Sequence, residues 1–329
     1  MTVKIVGCGL SGIVSAVVLK RAGFNVEIFE TRNHIGGNCY DSNTLNVTFH
    51  NYGPHIFHTN NEEVFGFLSK FTEWTPFELR PKGNTEIGLI SLPYSKKTVS
   101  EIGRDLPQDE IENIIFKGYS SKQWGIPFEE IPKTITGRIP VTKDCDDPTW
   151  FEGQKYQCIP KHGYTRMMEA MLDGIRVSMG VNPNEWRNHE SDVTIYTGKI
   201  DEYFDFCYGE LPYRTLDFVH EANSEKREHF IINENMEHVP HTRSYDHSFF
   251  TRNFKGNTII TKETPRNATR SDIPFYPIPF GQGQLDYLKY ESLAKQEKNT
   301  IFIGRLATYK YLDMWVTVKQ ALSAIRKIL

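Results

Sequence analysis

Near its start the chain reads Val3-Lys4-Ile5-Val6-Gly7-Cys8-Gly9-Leu10-Ser11-Gly12-Ile13-Val14, and a few residues later Asn25-Val26-Glu27-Ile28-Phe29-Glu30. Val3 to Val6 is apolar enough for a buried strand. Ile13, Ala16, Val17 and Leu19 then recur at helical spacing, so the glycines between fall on a strand-to-helix turn. A pyrophosphate binds at such a turn. Gly7 permits the tight bend, Gly9 lets backbone approach the phosphates, and Gly12 lets helix and strand pack closely while the helix N-terminus faces the negative charge. Val26 to Phe29 reads as the second strand, with Glu30 at its end placed to accept ribose hydroxyls. With 24 glycines in 329 residues, a bare GxGxxG arises by chance in roughly one chain in eight, so the flanking strand and helix carry the assignment. A second cluster, Thr31-Arg32-Asn33-His34-Ile35-Gly36-Gly37-Asn38, adds another donor-rich loop and points past a nicotinamide to a larger flavin dinucleotide.

A chain of this length buries a sizeable core and suits a discontinuous arrangement of two or three domains. Its formal charge of −3 excludes a generally basic nucleic-acid surface while leaving room for a local basic pocket. Cys8, Cys39, Cys145, Cys158 and Cys207 are odd in number, widely spaced and free of a CxxC pair, as expected of reduced thiols. The absence of a leading basic and apolar segment, and of any apolar run near the ~18 residues of a membrane span, predicts a soluble cytoplasmic protein.

Segments of alternating strand and helix character at both ends bracket a middle that reads differently, which predicts a nucleotide domain whose chain leaves and returns. The expected fold is α/β: a Rossmann-like FAD-binding domain from residues 1–60, 160–202 and 285–329, a helical subdomain at 61–135, which the resemblance described below marks as reduced, and an antiparallel-sheet substrate domain at 203–284. Residues 133–150 hold Pro, Gly and Asp without periodicity and read as a long exposed loop, mobile beside a site. Met314, Val318, Ala321, Leu322 and Ile325 mark an amphipathic last helix.

Several strings occur in one order: Arg32 to Asn38, Gly53-Pro54-His55-Ile56-Phe57-His58-Thr59, Lys117-Gly118-Tyr119-Ser120-Ser121-Lys122-Gln123-Trp124-Gly125, Arg138-Ile139-Pro140-Val141, and Gly304-Arg305-Leu306-Ala307-Thr308-Tyr309-Lys310-Tyr311-Leu312-Asp313-Met314. Together they resemble the UDP-galactopyranose mutase family. Tyr196-Thr197-Gly198, Tyr213-Arg214 and Thr242-Arg243 extend the likeness over nearly the whole chain. The resemblance implies an enzyme that interconverts the pyranose and furanose rings of a UDP-sugar without net redox change. It also implies FAD, active when reduced, with an external reductant such as NAD(P)H. In that family flavin N5 is thought to attack the anomeric carbon and expel UDP.

Residue chemistry points the same way. A departing diphosphate carries about two negative charges, which guanidinium groups clamp as the charge grows. By resemblance, Arg138 on the mobile loop and Arg243 grip the diphosphate, with Arg214 in support; a solvated surface ion pair is the plainer alternative for any one of them. Aromatic faces suit a nucleobase and sugar C–H surfaces. Tyr119 and Trp124 match the uridine pocket of the family, and Tyr276 and Tyr311 match tyrosines beside phosphate and sugar. Trp150 stands near a family tyrosine and either caps the uridine or anchors the loop.

His55 and His58 form an HxxH pair without accompanying acidic or cysteine ligands, so no metal site is expected. By resemblance both imidazoles lie near the flavin ring, His55 influencing its protonation and N5 reactivity. For His58 a packed structural role stands equally. Arg305, Asp313 and Met314 match cofactor and sugar contacts, Asp313 having a helix N-cap as its other reading.

The chain departs from the family between Leu92-Pro93-Tyr94 and Lys117-Gly118-Tyr119, where only 22 residues stand in place of a longer helical insertion. That region supplies a dimer contact in relatives, so a monomer or a different interface is expected. Leu79-Arg80-Pro81-Lys82 occupies the place of a substrate-binding asparagine. UDP-galactopyranose is the default substrate, with UDP-N-acetylgalactosamine and UDP-arabinopyranose as alternatives. A FAD-dependent oxidoreductase of amine-oxidase-like fold and a silent UDP-sugar binder are the other classes, and the arginine group argues against the oxidoreductase.

Overall fold

Alternating apolar residues at Val3, Ile5, Val26, Ile28 and Ile195 build the centre of a five-stranded parallel sheet. Its strand order is Arg176–Met179, Asn25–Glu30, Thr2–Val6, Val193–Tyr196 and Thr300–Phe302, parallel at every junction. The computed structural model describes residues 1–137, 140–251, 254 and 256–328. Helix Leu10–Arg21 is buried along most of its length, sandwiched between this sheet and the last helix, Met314–Ile325. Small residues on its path, Gly12, Ser15 and Ala16, permit that close packing. Strand ends and helix N-termini therefore meet along one carboxyl edge, where open parallel sheets bind dinucleotides.

A second, seven-stranded sheet runs Tyr276–Pro277, Tyr213–Asn223, Thr258–Asn267, Arg243–Asp246, Ile231–Glu234, Lys82–Thr85 and Gly88–Ser91. Its backbone is the long antiparallel pair Tyr213–Asn223 and Thr258–Asn267, in which Arg214 faces Asn267. Next to it Arg243 faces Glu263 across the strands, a pairing that brings their side chains within reach. A small antiparallel sheet of Phe57–Thr59, Tyr156–Pro160 and Trp74–Pro76 packs on both, Phe57 and Cys158 joining the core of the first and Ile159 clustering with Ile231 and Tyr245 of the second.

Two expectations change. Residues 74–91, within the region expected to be helical, are mostly strands: Lys82–Thr85 alternates half-buried and buried positions, turns through Glu86 and Ile87 into Gly88–Ser91 and joins Ile231–Glu234 in parallel. Period-two burial against a neighbouring sheet decides that segment. Helical within that region are Glu62–Leu68, Lys96–Ile102 and a continuous run from Gln108–Ile111 through a π-helical turn, Glu112–Lys117, into Gly118–Trp124.

Nor is the stretch after residue 133 a free loop. Lys133–Thr136 is a helical turn, Val141–Thr142 pairs with Tyr94–Ser95, and the N–H groups of Lys96 and Lys97 donate to the carbonyls of Cys145 and Asp146 at 3.0 and 3.1 Å. Those backbone bonds, unlike periodicity, leave no trace in composition.

Candidate active site

At the carboxyl edge of the parallel sheet the two glycine loops converge. A Cβ on Gly12 would lie 2.1 Å from the Gly7 carbonyl oxygen, and one on Gly37, whose φ is +56°, would lie 3.1 Å from the Gly9 Cα. Gly12 is thus required by the turn of the first loop itself, and Gly37 by the approach of the second loop to it. Gly36 ties the loops together, its N–H donating to the Cys8 carbonyl at 2.7 Å. Glu30 is buried at the strand end; its two carboxylate oxygens accept from the N–H groups of Cys8 (2.7 Å) and Arg32 (2.8 Å).

Arg32 donates through one terminal nitrogen to Asn38 Oδ1 at 2.8 Å and lies 4.8 Å from the centre of the Tyr52 ring. Its other terminal nitrogen, Nη1, is buried with no protein partner. A buried guanidinium nitrogen is costly unless something accepts from it. An orphaned cation, a glycine cradle that any Cβ would fill and a carboxylate at ribose position together fit a dinucleotide with a pyrophosphate.

Asn38, which follows the second glycine pair, lines a cavity of about 630 Å³, within the range of small-molecule sites. Asn38, His55, His58, Arg305, Asp313 and Met314 line it, and so do Tyr119, Ser120, Gln123, Trp124 and Asn233. Arg243, Tyr276, Tyr311 and Trp150 line it too. The rings of Tyr276 and Tyr311 stack at 5.5 Å, and Trp124 meets Tyr311 edge-on at 6.4 Å. Asp313 is the N-cap residue of the last helix, yet its side chain makes no capping hydrogen bond. Its carboxylate belongs to the cavity wall.

Arg243 is the guanidinium most directly prepared for an anion. Nε and Nη2 both pair with the Glu263 carboxylate, itself only 1% exposed. Burial opposes the charge on Arg243, but Glu263 outweighs burial and holds its pKa well above the ordinary value. Arg305 is spent differently: it donates to the carbonyls of Phe275 (2.9 Å) and Leu312 (2.6 Å) between the rings of Tyr276 and Tyr311. It fastens the wall while adding positive potential.

Arg214 is not among the cavity-lining residues. It is 3% exposed and donates to the carbonyls of Gln123 and Lys122 at 2.9 Å and to Asn267 Oδ1. Its guanidinium holds the end of helix Gly118–Trp124, so its support for the site is mechanical. Lys122 secures the same helix from the other side, donating to the carbonyls of Glu234, Met236, Val239 and His241 at 2.8–3.0 Å. Arg138, and with it Ile139, lies outside the described residues.

The His55 Nδ1 lies 2.8 Å from the Gly53 carbonyl, so Nδ1 carries the proton and Nε2 keeps a lone pair. Burial first, then the charges of Arg305 and Arg243, bring its pKa down to about 4. His58 stacks on Phe151 at 3.6 Å and pairs through Nδ1 with Gln154 at 3.1 Å, so it is both packed and part of the cavity lining. Among the described residues no cluster of three or more His, Cys, Asp or Glu is arranged to hold a metal.

Sequence reasoning missed Glu263, Asn233, Gln154 and Phe151. Glu263 carried no local signal, because its role depends on cross-strand register with Arg243.

Comparison with known proteins places this constellation. A family model described as UDP-galactopyranose mutase matches residues 114–311, and one described as NAD(P)-binding Rossmann-like domain matches residues 5–71. The chain is 35% identical to a probable UDP-galactopyranose mutase of Klebsiella pneumoniae, covering 99% of this chain and 94% of that one. The chain belongs to the UDP-galactopyranose mutase family. It is, with that family, an isomerase. A dTDP-fucopyranose mutase of Escherichia coli is 34% identical over 97% of this chain and 96% of its own length. The alignment with the Klebsiella protein spans 366 positions against 329 residues here, so this is a shortened member of the family. A crystal structure of reduced UDP-galactopyranose mutase superimposes with a TM-score of 0.76 at 13% identity, covering 99% of this chain and 95% of that one, and shares its fold. Among the described residues no helix is long and apolar enough to cross a membrane.

Proposed function

We propose that the chain interconverts the pyranose and furanose forms of a UDP-linked sugar, with UDP-galactose as the reference substrate. Arg243 carries this reading: a buried carboxylate opposite it in register fixes one edge of its guanidinium, and the residue lines a cavity that also holds aromatic faces and reaches Asn38 of the second glycine loop. Preorganised positive charge favours the state in which the diphosphate departs, and its reorganisation cost is met in folding. Arg138 is assigned to the same diphosphate by resemblance.

FAD suits the cradle. Gly7, Gly9 and Gly12 would admit its pyrophosphate, Glu30 its ribose, and Arg32, Gly36, Gly37 and Asn38 the second loop's share of the contacts. When bound and reduced, it supplies an electron-rich N5 at the sugar's anomeric carbon, with no net redox change over a turnover. His55, neutral at pH 7, offers its Nε2 lone pair at that end, and Arg305, Asp313, Met314 and His58 complete the wall. Tyr119 and Trp124 are assigned to the uridine, Tyr276 and Tyr311 to phosphate and sugar, and Trp150 to the cover over them.

The dTDP-fucopyranose mutase among the relatives widens the sugars worth testing. Reduced enzyme, incubated with UDP-galactose, UDP-N-acetylgalactosamine, UDP-arabinopyranose and dTDP-fucose and assayed chromatographically for furanose products, tests the proposal. Furanose formation that requires dithionite or NAD(P)H supports it; equal turnover with fully oxidised flavin, or an oxidised sugar as product, overturns it.

A further inference from the structure

Behind the cavity wall, out of reach of a ligand, lie two histidines with no role in the reading above. His50 ends strand Val47–His50 and is 3% exposed; His247 begins the short 3-10 turn His247–Phe250 and is 0% exposed. Each is held in an apolar slot, His50 stacked on Phe250 at 3.7 Å with planes 5° apart, and His247 on Phe49 at 4.4 Å.

Their hydrogen bonds run in one direction. The backbone N–H of His55 donates to Nδ1 of His50 at 3.1 Å, and the backbone N–H of His50 donates to Nδ1 of His247 at 3.2 Å. Nε2 of His247 lies 2.8 Å from the Thr261 hydroxyl. An imidazole nitrogen accepts only when it carries no proton, so both Nδ1 atoms are bare and both rings are held as neutral Nε2–H tautomers. Burial agrees, lowering the pKa of His247 to about 3 and that of His50 well below its ordinary value.

We propose that His50 and His247 are positioning residues that hold the Gly53–His55 turn, and through it the lone pair of His55, at the flavin end of the cavity. The turn is gripped at two points. His50 takes the His55 amide from below, and the Glu263 carboxylate packs against Gly53, where a Cβ would come within 2.8 Å of Oε1. With the amide fixed, the His55 ring closes onto the Gly53 carbonyl through Nδ1, and Nε2 is the nitrogen left to act. Residues far apart in sequence thus decide which nitrogen of His55 is basic. The inference rests on the proposed role of His55 in the mutase reaction.

The chemistry prescribes the test. Asparagine places its Oδ1 near the position of histidine Nδ1 and preserves the acceptor, whereas glutamine reaches toward the Nε2 position and does not. FAD-loaded His50→Asn and His247→Asn are expected to keep kcat within ~3-fold of the parent, while His50→Gln and His247→Gln lose ~10-fold or more in kcat with KM little changed. Nitrogen chemical shifts of the parent protein are a second readout, independent of turnover and of whether any variant folds: unprotonated Nδ1 and protonated Nε2 at His50 and His247, and protonated Nδ1 at His55. Glutamine and asparagine variants that behave alike, or a protonated Nδ1 at His50, overturn the proposal. Unimpaired turnover of His55→Ala would instead refute the role of His55 and leave the nitrogen assignments standing, so the two failures are distinguishable.

Discussion

Glu263→Ala removes the carboxylate that holds Arg243 and leaves the guanidinium in place. Glu263 is 1% exposed and takes two of the arginine's nitrogens. Removing one partner of a buried pair leaves the other charge uncompensated, at about 3–5 kcal/mol. For a chain of this size that lowers Tm by about 6–10 °C, at roughly 2 °C per kcal/mol. The loss of rate is a separate quantity. With its fixed edge released, Arg243 can move by about 1 Å or turn toward water, and displacement of that size costs ~10²-fold in kcat/KM. Arg243→Ala should produce a loss of similar size, and the double variant little more than either alone, since both act through one guanidinium. Replacing the pair with two methionines should recover much of the stability and none of the rate. Thermal melts and initial rates of furanose formation by reduced enzyme provide both measurements. A Glu263→Ala enzyme within ~3-fold of the parent, or losses that multiply in the double variant, would refute the reasoning.

Arg214→Ala, which unfastens the end of helix Gly118–Trp124, should lower the urea midpoint and raise KM more than it lowers kcat; a pure kcat defect would restore Arg214 to the diphosphate. Gly37→Ala, strained by its positive φ and crowded by Gly9, should be purified with little flavin, as read from the visible absorption of the holoenzyme. The folded chain keeps His55 and His247 neutral down to about pH 4 and pH 3, whereas the unfolded chain protonates them near pH 6.5. Stability is therefore full above pH 6.5 and falls as pH drops toward 4, by roughly 2.7 kcal/mol per pH unit from these two groups in the steep region. Urea midpoints measured against pH should show this, and His247→Asn, which cannot titrate, should halve the contribution.

The parallel-sheet half of the molecule was legible because its determinants are local. Gly7, Gly9 and Gly12 lie within six consecutive residues, with their strand before and helix after them, and each glycine answers a clash with atoms near in sequence or in the adjoining loop. Of the cavity's aromatic residues, Tyr119, Trp124, Trp150, Tyr276 and Tyr311 were legible through resemblance. Residues 74–91 were not, since a short strand that pairs with Ile231–Glu234 has no helical or strand pattern strong enough to stand without its partner.

The sequence by itself determined the dinucleotide cradle, several of the side chains that meet in the cavity and the shortening of the helical region, because spacing and residue type are enough to specify those. Tertiary structure alone decided what each charge is free to do. Arg243 and Arg214 look alike in sequence, one after Thr242 and one after Tyr213. Cross-strand register gives the first a buried carboxylate and a place on the cavity wall, and gives the second three partners that use it as a brace. The basic nitrogen of His55 was settled in the same way, by the contact of its Nδ1 with the Gly53 carbonyl, in a turn whose backbone amide His50 accepts only after the chain has folded.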